Sequence, residues 1–334
     1  MAFSQSRGRT VALDAATLRV VQLDSTGRVL ASVGGRGEGP SEFLSVSNMF
    51  PAGTDTVGVW DPQLRRLSVF DEHLRLVFAS VLHGWSGAPA LRVIGRLRSG
   101  EFVGFSVKEE TERSETADLS HYVVTVLRGD VARRPVPIVS LAGARMVRIR
   151  RNEATSTMIA LPETASARSI AVCGNDIVVL DTALATYSRG RQTHQRFRIP
   201  VDSVTGTRRA ALLQAMTTSV SDSRARDALL RTLNATIADP LLRPRRAFIV
   251  TIDDLWFSWQ RGGLALERHV GDGSPREQMA SPTIVFPLNT EPDRVYGVRV
   301  DSVGVAALVA LTTKNSSPRV RTSNAAGCGP TVQY

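Results

Sequence analysis

The sequence has few cysteines and no long apolar run. Cys173 and Cys328 are the only cysteines among the 334 residues. Neither lies in a CxxC motif or at a Cys/His spacing, so no thiolate metal site is supported. The longest apolar-leaning run, Val303–Leu311, has the length of a strand and is far from the roughly 18 residues that span a bilayer. We expect Cys173 to be a buried free thiol, and a disulfide with Cys328 remains the alternative.

Lysine is almost absent as well. Lys108 and Lys314 are the only lysines, although Lys and Arg together number 41 and the formal net charge is +10. A composition skewed to arginine is what a GC-rich genome produces through codon usage. The arginines are spread along the chain, whereas a nucleic-acid-binding domain gathers basic residues into a patch. We therefore interpret the charge as a solvated surface and expect no nucleic-acid partner.

No spacing of histidine, cysteine or serine matches a known catalytic arrangement. The sequence contains no Gly-x-Ser-x-Gly motif and no pair of histidines at the spacing of a zinc protease. The five histidines never come closer than ten residues to one another: His73, His83, His121, His194 and His269. The four tryptophans are interpreted as packing residues rather than a ligand cage: Trp60, Trp85, Trp256 and Trp259. We therefore nominate no catalytic residue and no cofactor.

An internal repeat of 47 residues decides the predicted fold class. Three short β runs from Thr10 onward are separated by turns that begin with Asp14 and Asp24. The following copy aligns without a gap and places Asp61 and Asp71 at the same two turns. Three strands joined by two such turns form an antiparallel meander, because aspartate favours tight turns.

Four weaker copies follow, which makes six units of roughly 40 to 50 residues. The third has a middle turn enlarged by the charged insert Lys108–Asp118, and Thr283–Leu288 is assigned as the last strand of the fifth. Small meanders with two apolar faces are typical of a β-propeller, in which stacking in a ring buries those faces. We predict an all-β, six-bladed β-propeller over residues 1–313, and a β-sandwich is the alternative.

The two ends of the predicted propeller are incomplete. The strand pattern has begun by Thr10, and the last unit, after Pro292, is short of strands. We therefore expect the C-terminal unit to close the ring beside the first blade. Ala2–Ser4 fits the remnant of a first innermost strand, so the first blade is predicted to be incomplete. No secretory signal is found, and we expect the signal segment to be missing together with the rest of that strand.

Two segments depart from the β pattern. Residues 205–238 predict a two-helix insert between the fourth and fifth blades, packed on the rim. The helical spacing is carried by one apolar face: Ala225, Leu229, Leu233 and Ile237. Residues 314–334 predict a disordered C-terminal tail, because Ser, Asn, Gly and Pro dominate its composition.

The segment Val33–Phe43, VGGRGEGPSEF, joins the first unit to the second. It closely resembles the GRxGEGPGEF junction of bacterial six-bladed propellers related to NHL-repeat proteins. The blade pattern VVQLDSTGRVLASVG and the closing RVYGVRVDSVGVAALVAL are similar to that family's blades. This chain has Ser41 where glycine is usual. The resemblance implies a cell-envelope or secreted protein, since members are typically exported or lipid-anchored.

The same junction is not a phosphate-binding loop. It lacks Gly-Lys-Ser/Thr, and Pro40 occupies the third glycine position of a dinucleotide fingerprint. Glycines that permit a positive φ and a proline that fixes the exit suit a tight bend. We predict that the junction is structural.

One aspartate ends the same strand in three of the units: Asp14, Asp61 and Asp301. Placed around a central channel, such carboxylates suit hard cations, which prefer oxygen ligands. The alternative is that each aspartate caps its own turn by accepting backbone N–H groups. We favour turn capping and keep these three residues as weak candidates for a metal site.

Two functional hypotheses follow. The favoured one is a non-catalytic binding or scaffold protein, with loops on one face that recognise a protein, a peptide or a glycan. The other is a metal-assisted hydrolase or lyase with its site at the channel mouth. Only fold analogy supports the enzyme, and a fold does not determine function. We expect a monomer without cofactor or transmembrane segment.

Overall fold

The structure is a computed structural model that describes most of the N-terminal half of the chain and shorter stretches of the rest. The described residues are 2–4, 9–53, 55–112, 117–150, 156–160, 169–180, 184–189, 192–198, 202–203, 214, 223, 226–227, 230–231, 241–242, 246–251, 254–260, 264–270, 274–281, 285–291, 294–300, 306–312 and 332–333. Within these residues the fold is all-β, apart from a 3₁₀ helix over His83–Trp85 and isolated helical positions in the predicted insert.

The first two sheets are four-stranded antiparallel meanders whose strands follow chain order. The first contains β1 (Ala2–Ser4), β2 (Thr10–Asp14), β3 (Arg19–Leu23) and β4 (Val29–Gly34). The second contains β5 (Asn48–Gly53), β6 (Thr56–Asp61), β7 (Arg66–Phe70) and β8 (Leu76–Val81). Strands β7 and β8 begin and end one repeat after β3 and β4, as the gapless alignment predicts. Strand β1 pairs with β2, which confirms that Ala2–Ser4 is the first strand of this sheet, and the incompleteness of the sheet stays a prediction.

Two five-stranded sheets come next. The third sheet contains β9 (Arg92–Arg96), β10 (Phe102–Glu112), β11 (Ala117–Gly129), β12 (Val136–Arg150) and β13 (Ser156–Ala160). The fourth begins with β14 (Ser169–Cys173), β15 (Asp176–Leu180), β16 (Leu184–Arg189) and β17 (Gln192–Arg198). The charged insert Lys108–Asp118 does not enlarge a turn, because most of it extends β10 and β11 as paired strands.

The remaining sheets use the C-terminal part of the chain. A short pair joins β18 (Asp202–Ser203) to β19 (Leu241–Leu242). The fifth sheet contains β20 (Arg246–Thr251), β21 (Asp254–Gln260), β22 (Leu264–Val270) and β23 (Ser274–Ser281). The sixth contains β24 (Val285–Glu291), β25 (Arg294–Val300) and β26 (Ala306–Thr312). The assignment of Thr283–Leu288 to the fifth sheet is therefore wrong, since β24 pairs with β25 instead.

The first strands of neighbouring sheets contact one another along the chain. Strand β5 contacts β9, β9 contacts β14, β14 contacts β20, and β20 contacts β24. Strand β24 in turn contacts β1. The prediction that the C-terminal sheet lies beside the first is therefore confirmed. A side-chain hydrogen bond reinforces one of these contacts, since Asn48 Nδ2 donates to the Val93 carbonyl oxygen at 2.9 Å.

Apolar clusters fill the spaces between neighbouring sheets, because the central strands carry apolar residues on both faces. The cluster between the first and second sheets includes Val11, Val20, Phe43, Met49 and Phe70. The cluster between the second and third includes Phe50, Trp60, Trp85, Val93 and Phe102. The cluster between the third and fourth includes Ile94, Phe105, Val126, Ile170 and Val172. The packing role predicted for Trp60 and Trp85 is thus confirmed, as each is 1% exposed.

The C-terminal residues Val332–Gln333 form a further strand, β27, which pairs with β14. For these two residues the predicted disorder does not hold, because Ser169 lies opposite Gln333 and Ile170 opposite Val332. The rest of the tail, with Cys328, lies outside the described residues. Most of the helical insert also lies outside them, so the two-helix arrangement stays a prediction. Among the described residues no helix is long and apolar enough to cross a membrane.

Gly95 sets how closely the third and fourth sheets approach. A Cβ added there would lie 2.5 Å from Val172 Cγ2 and 2.8 Å from Val172 Cβ. We expect Gly95→Ala to lower the free energy of unfolding by about 1–3 kcal/mol, as overpacked cores do, measured by urea denaturation. Gly87→Ala is the matched control, since a Cβ at Gly87 meets no atom within 4 Å.

A second substitution tests the cause of that loss. Adding Val172→Ala to Gly95→Ala should recover stability relative to the sum of the two single losses, because the smaller side chain removes the overlap. Additive losses in the double variant would show that the two sheets do not meet at this pair.

Candidate functional site

One end of the first two sheets is formed by turns and junctions that hydrogen-bond to each other. In a meander, successive turns alternate between the two ends of the sheet. The turn 14–18 therefore shares an end with the first junction, residues 35–47, and the turn 61–65 with the second junction, residues 82–91. Two backbone hydrogen bonds confirm this: Gly35 N donates to Leu18 O at 3.0 Å, and Leu82 N to Arg65 O at 3.0 Å. We call these four segments the junction face.

The first junction is a compact bend. Phe43 N donates to Gly35 O at 2.8 Å, and Gly37 N donates to Phe43 O at 3.2 Å. Gly39 N donates to a side-chain oxygen of Glu42 at 2.9 Å. A Cβ at Gly37 would lie 2.0 Å from Glu42 Oε2, so a side chain there would displace the Glu42 carboxylate that accepts from Gly39 N. The structural interpretation of the junction is confirmed, because its N–H groups are used within the bend.

Phe43 anchors this bend in the core. Its side chain is fully buried and meets Phe70 edge-on, with the ring centroids 6.3 Å apart. Edge-to-face pairs of this kind add roughly 0.5–1.5 kcal/mol to simple burial. The buried Phe43 side chain therefore fixes the exposed part of the junction to the apolar cluster between the first two sheets.

Asp61 holds the first junction to the second sheet. One of its carboxylate oxygens accepts hydrogen bonds from Leu44 N at 2.8 Å and Ser45 N at 3.2 Å. The other accepts from Gln63 N at 2.9 Å and Leu64 N at 3.0 Å. The residue is 1% exposed, and four N–H donors match the acceptor capacity of a carboxylate. Turn capping is confirmed at this position, and capping here also fixes the preceding junction.

Asp14, the repeat equivalent of Asp61, caps an exposed turn. Its carboxylate accepts from Ala16 N at 3.0 Å, and it accepts from the Thr17 hydroxyl at 2.6 Å. The Thr17 hydroxyl lowers the pKa of Asp14, and backbone N–H groups and the charge of Arg19 add to this, against an opposing effect of burial. Turn capping is confirmed here as well. Asp301, the third candidate, lies outside the described residues.

Two arginines, the last residue of the β6–β7 turn and the first residue of β7, bind backbone carbonyl groups of the two junctions. Arg66 donates to Glu38 O at 2.8 Å and also to Glu42 O in the first junction. Arg65 donates to Trp85 O at 3.0 Å in the second junction, and Trp85 Nε1 in turn donates to Asp130 O at 2.9 Å. The role of these arginines was not predicted from the sequence, although the repeat aligns Arg66 with Arg19 and so marks a recurring basic position beside the capped turn.

The exposed side chains of the junction face carry charges of both signs. Arg36, Glu38 and Glu42 project from the first junction, and His83 from the second. Their backbone is held by the buried contacts of Asp61 and Phe43, so the charges are presented by a loop of defined shape. Such an arrangement offers hydrogen bonds and ion pairs to a polar partner.

The described residues contain no group of three or more histidine, cysteine or acidic side chains placed to hold a metal ion. His73 lies on the opposite end of the second sheet, 3.7 Å from Glu72 and exposed. His121, His194 and His269 lie on β11, β17 and β22, three different sheets. The metal candidates Asp14 and Asp61 are each occupied by their own turns.

Cys173 is disulfide-bonded, so the expectation of a free thiol is wrong. Its burial, at 7% exposed, was predicted correctly. Burial and oxidation state are independent properties, and an apolar run indicates only the first. The spacing of the two cysteines in the sequence gave no signal of a disulfide.

Comparison with known proteins does not assign the chain to a family. No family model matches the chain, and no curated protein matches its sequence. Among solved structures, a Bacteroides fragilis protein described as exported is 10% identical, with a TM-score of 0.47 over 100% of this chain and 90% of its own.

Two further solved structures are less alike. BamB from Moraxella catarrhalis is 12% identical, with a TM-score of 0.33 over 91% of this chain and 82% of its own. The CNH domain of AfRom2 is 9% identical, with a TM-score of 0.31 over 91% of this chain and 94% of its own. With TM-scores below 0.5, these likenesses support no conclusion, and the fold rests on the sheet order and contacts described above.

Asp14 and Asp61 are equivalent in the repeat, so they allow a matched test of the hydrogen bonds by which Asp61 holds the junction. Asp61→Asn replaces one acceptor oxygen by an N–H₂ group that faces backbone donors, and burial keeps water from compensating. We expect a loss of about 2–4 kcal/mol in the free energy of unfolding, measured by urea denaturation. Asp14→Asn should cost clearly less, because its turn is open to solvent. Equal losses in the two variants would contradict the role of Asp61 in holding the first junction.

The turns at the other end of the sheets predict an acid-sensitive stability. Hydrogen bonds from the Thr26 hydroxyl and from Arg28 N lower the pKa of Asp24. Burial by itself raises the pKa of Asp71, but hydrogen bonds from Arg75 and His73 outweigh it and lower it. A carboxyl whose pKa is lower in the folded than in the unfolded state stabilises the folded protein at pH values above 3.8, the ordinary pKa of aspartate. That stabilisation is lost as the pH falls through the folded-state pKa.

We therefore expect the free energy of unfolding to fall below about pH 4. The decline should be shallower in the double variant Asp24→Asn, Asp71→Asn, with urea denaturation compared at pH 6 and pH 3. Glu38→Gln is the control, since that exposed side chain caps no turn. A double variant with the full acid sensitivity of the wild type would disprove the assignment.

Proposed function

We propose that the chain is a six-bladed β-propeller that binds a partner through the junction face and catalyses no reaction. Six sheets of three to five strands follow one another along the chain. From the second sheet to the sixth their first strands contact in sequence, and β24 contacts β1. A ring of six blades accounts for both observations. A relationship to the NHL-repeat propellers remains part of this proposal, based on the junction motif and the two end blades.

The observation that carries the binding proposal is the way the first junction is held. Buried Asp61 binds its exit, Arg66 binds two of its carbonyl groups, and Phe43 anchors it in the core. A loop fixed in this way loses little conformational entropy when a partner binds, which favours recognition. The exposed Arg36 and Glu38 then supply oriented charges.

A protein or peptide fits this surface better than a nucleic acid. Charges of both signs lie on the first junction, where Arg36 is followed by Glu38 and Glu42. A polyanion is attracted by a surface of uniform positive charge, whereas mixed charges match the mixed charges of a protein surface. A glycan is the remaining class of ligand that the hypothesis names. We infer that the chain itself is a monomer.

We further infer that the protein works in the cell envelope or outside the cell. Cys173 is disulfide-bonded, and disulfides persist in oxidising compartments but are rare in the cytosol. The family resemblance of the junction motif points to the same location.

The experiment is a selection of ligands followed by a charge reversal. The purified protein is presented with a displayed peptide library and with a glycan array, and the dissociation constant of the best ligand is measured. We expect Arg36→Glu to weaken binding at least tenfold, because the reversed charge repels what Arg36 attracted. Arg98→Glu is the matched control, since Arg98 is exposed at the opposite end of the sheets.

Two outcomes would contradict the proposal. Binding that Arg98→Glu weakens and Arg36→Glu leaves intact would place recognition on the opposite end. A divalent-metal-dependent hydrolysis or elimination that is lost in Asp14→Ala would instead favour an enzyme.

A further inference from the structure

Exposed apolar side chains concentrate on the outer strands of the first two sheets. Among the described residues five large apolar side chains are exposed, and four of them lie on β4 and β8. These four are Val29, Leu30, Val77 and Val81, with exposed fractions between 38% and 59%. Apolar groups that cluster on a surface mark an interaction site, whereas scattered ones need no explanation.

A β-bulge turns one of these side chains outward in each sheet. In the second sheet the register shifts between Val69 and Phe70, and Val77 is the extra residue of β8. The register shifts at the equivalent point of the first sheet, where Leu30 is the extra residue of β4. Bulges at sheet edges re-aim side chains and are features of a fold rather than defects. The outward aliphatic group is therefore repeated in the two sheets.

The outer edge of β8 lacks the features that normally prevent strand pairing. The order of the second sheet ends at β8, and no strand of the described residues pairs with its outer side. Edge strands usually carry charged residues or proline, which discourage pairing with another chain. The sequence of β8, LVFASV, has neither. Its alternate residues Val77, Ala79 and Val81 are exposed, so the open edge also has an aliphatic surface.

The third sheet shows that an outer edge of this fold accommodates a further strand. There β13 pairs antiparallel with β12, from Met146 opposite Ala160 to Arg150 opposite Ser156. It is the fifth strand of its sheet, whereas the second sheet has four. Strand addition is also a common way to bind an extended peptide, because main-chain hydrogen bonds supply affinity and alternate side chains supply specificity.

The charge at the start of β8 is positive. Arg75 precedes the strand and forms an ion pair of 2.7 Å with Asp71, but the arginine side chain is 75% exposed and that of the aspartate only 24%. The other acid of the turn, Glu72, lies 3.7 Å from His73, and its carbonyl oxygen accepts from Arg9 at 3.2 Å. The guanidinium group thus faces solvent beside an uncharged strand. An acidic group on a partner complements this end of β8.

We propose that the outer edge of β8 binds an extended segment of a partner protein as a fifth strand. The segment runs antiparallel to β8, as β13 does to β12. Its aliphatic residues occupy alternate positions and cover Val77, Ala79 and Val81. An acidic residue near its C-terminal end meets Arg75, because the C-terminal end of an antiparallel strand lies beside the N-terminal end of its neighbour. This surface is separate from the junction face, and the proposal does not depend on binding there.

Two synthetic peptides of identical composition test the pairing and the charge together. TVTVTVEE carries its acidic residues at the C-terminal end, and EETVTVTV carries them at the N-terminal end. We expect fluorescence anisotropy to show at least tenfold tighter binding of TVTVTVEE. N-methylation at one of its two sets of alternate residues should abolish binding, since only one set faces β8. Saturating TVTVTVEE should slow amide hydrogen exchange at Leu76–Val81 and leave Ala2–Ser4 unchanged.

Substitutions on the exposed strand locate the site. The double variant Val77→Lys, Val81→Lys should weaken binding of TVTVTVEE at least tenfold, because charge on an edge strand discourages pairing. Arg75→Gln should remove the preference for TVTVTVEE over EETVTVTV. Arg36→Glu on the junction face is the control and should leave both affinities unchanged. If the double variant does not fold, hydrogen exchange of the wild type with the peptide answers the question.

Other occupants of this edge predict other results. Equal affinities for the two peptides would overturn the proposal, and so would binding that Arg36→Glu weakens and the double variant does not. Self-association in analytical ultracentrifugation that the double variant abolishes would overturn it in favour of a second copy of the chain. Cosedimentation with vesicles of phosphatidylcholine and phosphatidylglycerol that the double variant abolishes would overturn it in favour of a lipid surface.

Discussion

The structure depends on sheets that are apolar on both faces. A four-stranded meander such as β5–β8 buries nearly all of β6 and β7, and it can do so only with a neighbouring sheet on each side. The clusters around Phe70, Trp85 and Val172 are those shared interfaces. Burial at roughly 25 cal/mol per Å² makes them the main source of stability. Each sheet is therefore stable only as part of the series, as in other repeat architectures.

Polar side chains form hydrogen bonds with backbone groups that this packing would leave without partners at the sheet ends. Junctions between sheets must cross the core edge, and their backbone N–H groups would be left without partners there. The carboxylate of Asp61 accepts two of them, from Leu44 and Ser45, together with two N–H groups of its own turn. Arg65 and Arg66 donate to carbonyl groups of the junctions. Aspartates that an active-site search would select are thus committed to the backbone. The same commitment stiffens the junction face, which is why a binding role follows from it more naturally than catalysis.

The repeat made the first two sheets predictable in detail. Asp14 and Asp61 end β2 and β6, and three strands of each sheet were predicted correctly, because alternation and turn residues are local signals. The first strand of the second sheet, β5, was not predicted. The end of the fifth sheet was misassigned, because its last strand, Ser274–Ser281, contains no β-branched or aromatic residue and so gives no strand signal in the sequence. The roles of Arg65, Arg66 and Asp130 depend on contacts between segments far apart in the chain, which local sequence patterns do not indicate. The disulfide at Cys173 and the strand at Val332–Gln333 are non-local for the same reason.

The contact between β24 and β1 has a consequence for biosynthesis. The first sheet leaves the ribosome early, but the neighbour that covers its outer side is made from residues near position 285 and beyond. At roughly 5–20 residues per second, the first sheet waits on the order of 15 to 60 seconds with that side uncovered. The nascent chain thus carries an exposed apolar surface for most of its synthesis, and chaperones that bind such surfaces have their longest opportunity at the N-terminal sheet.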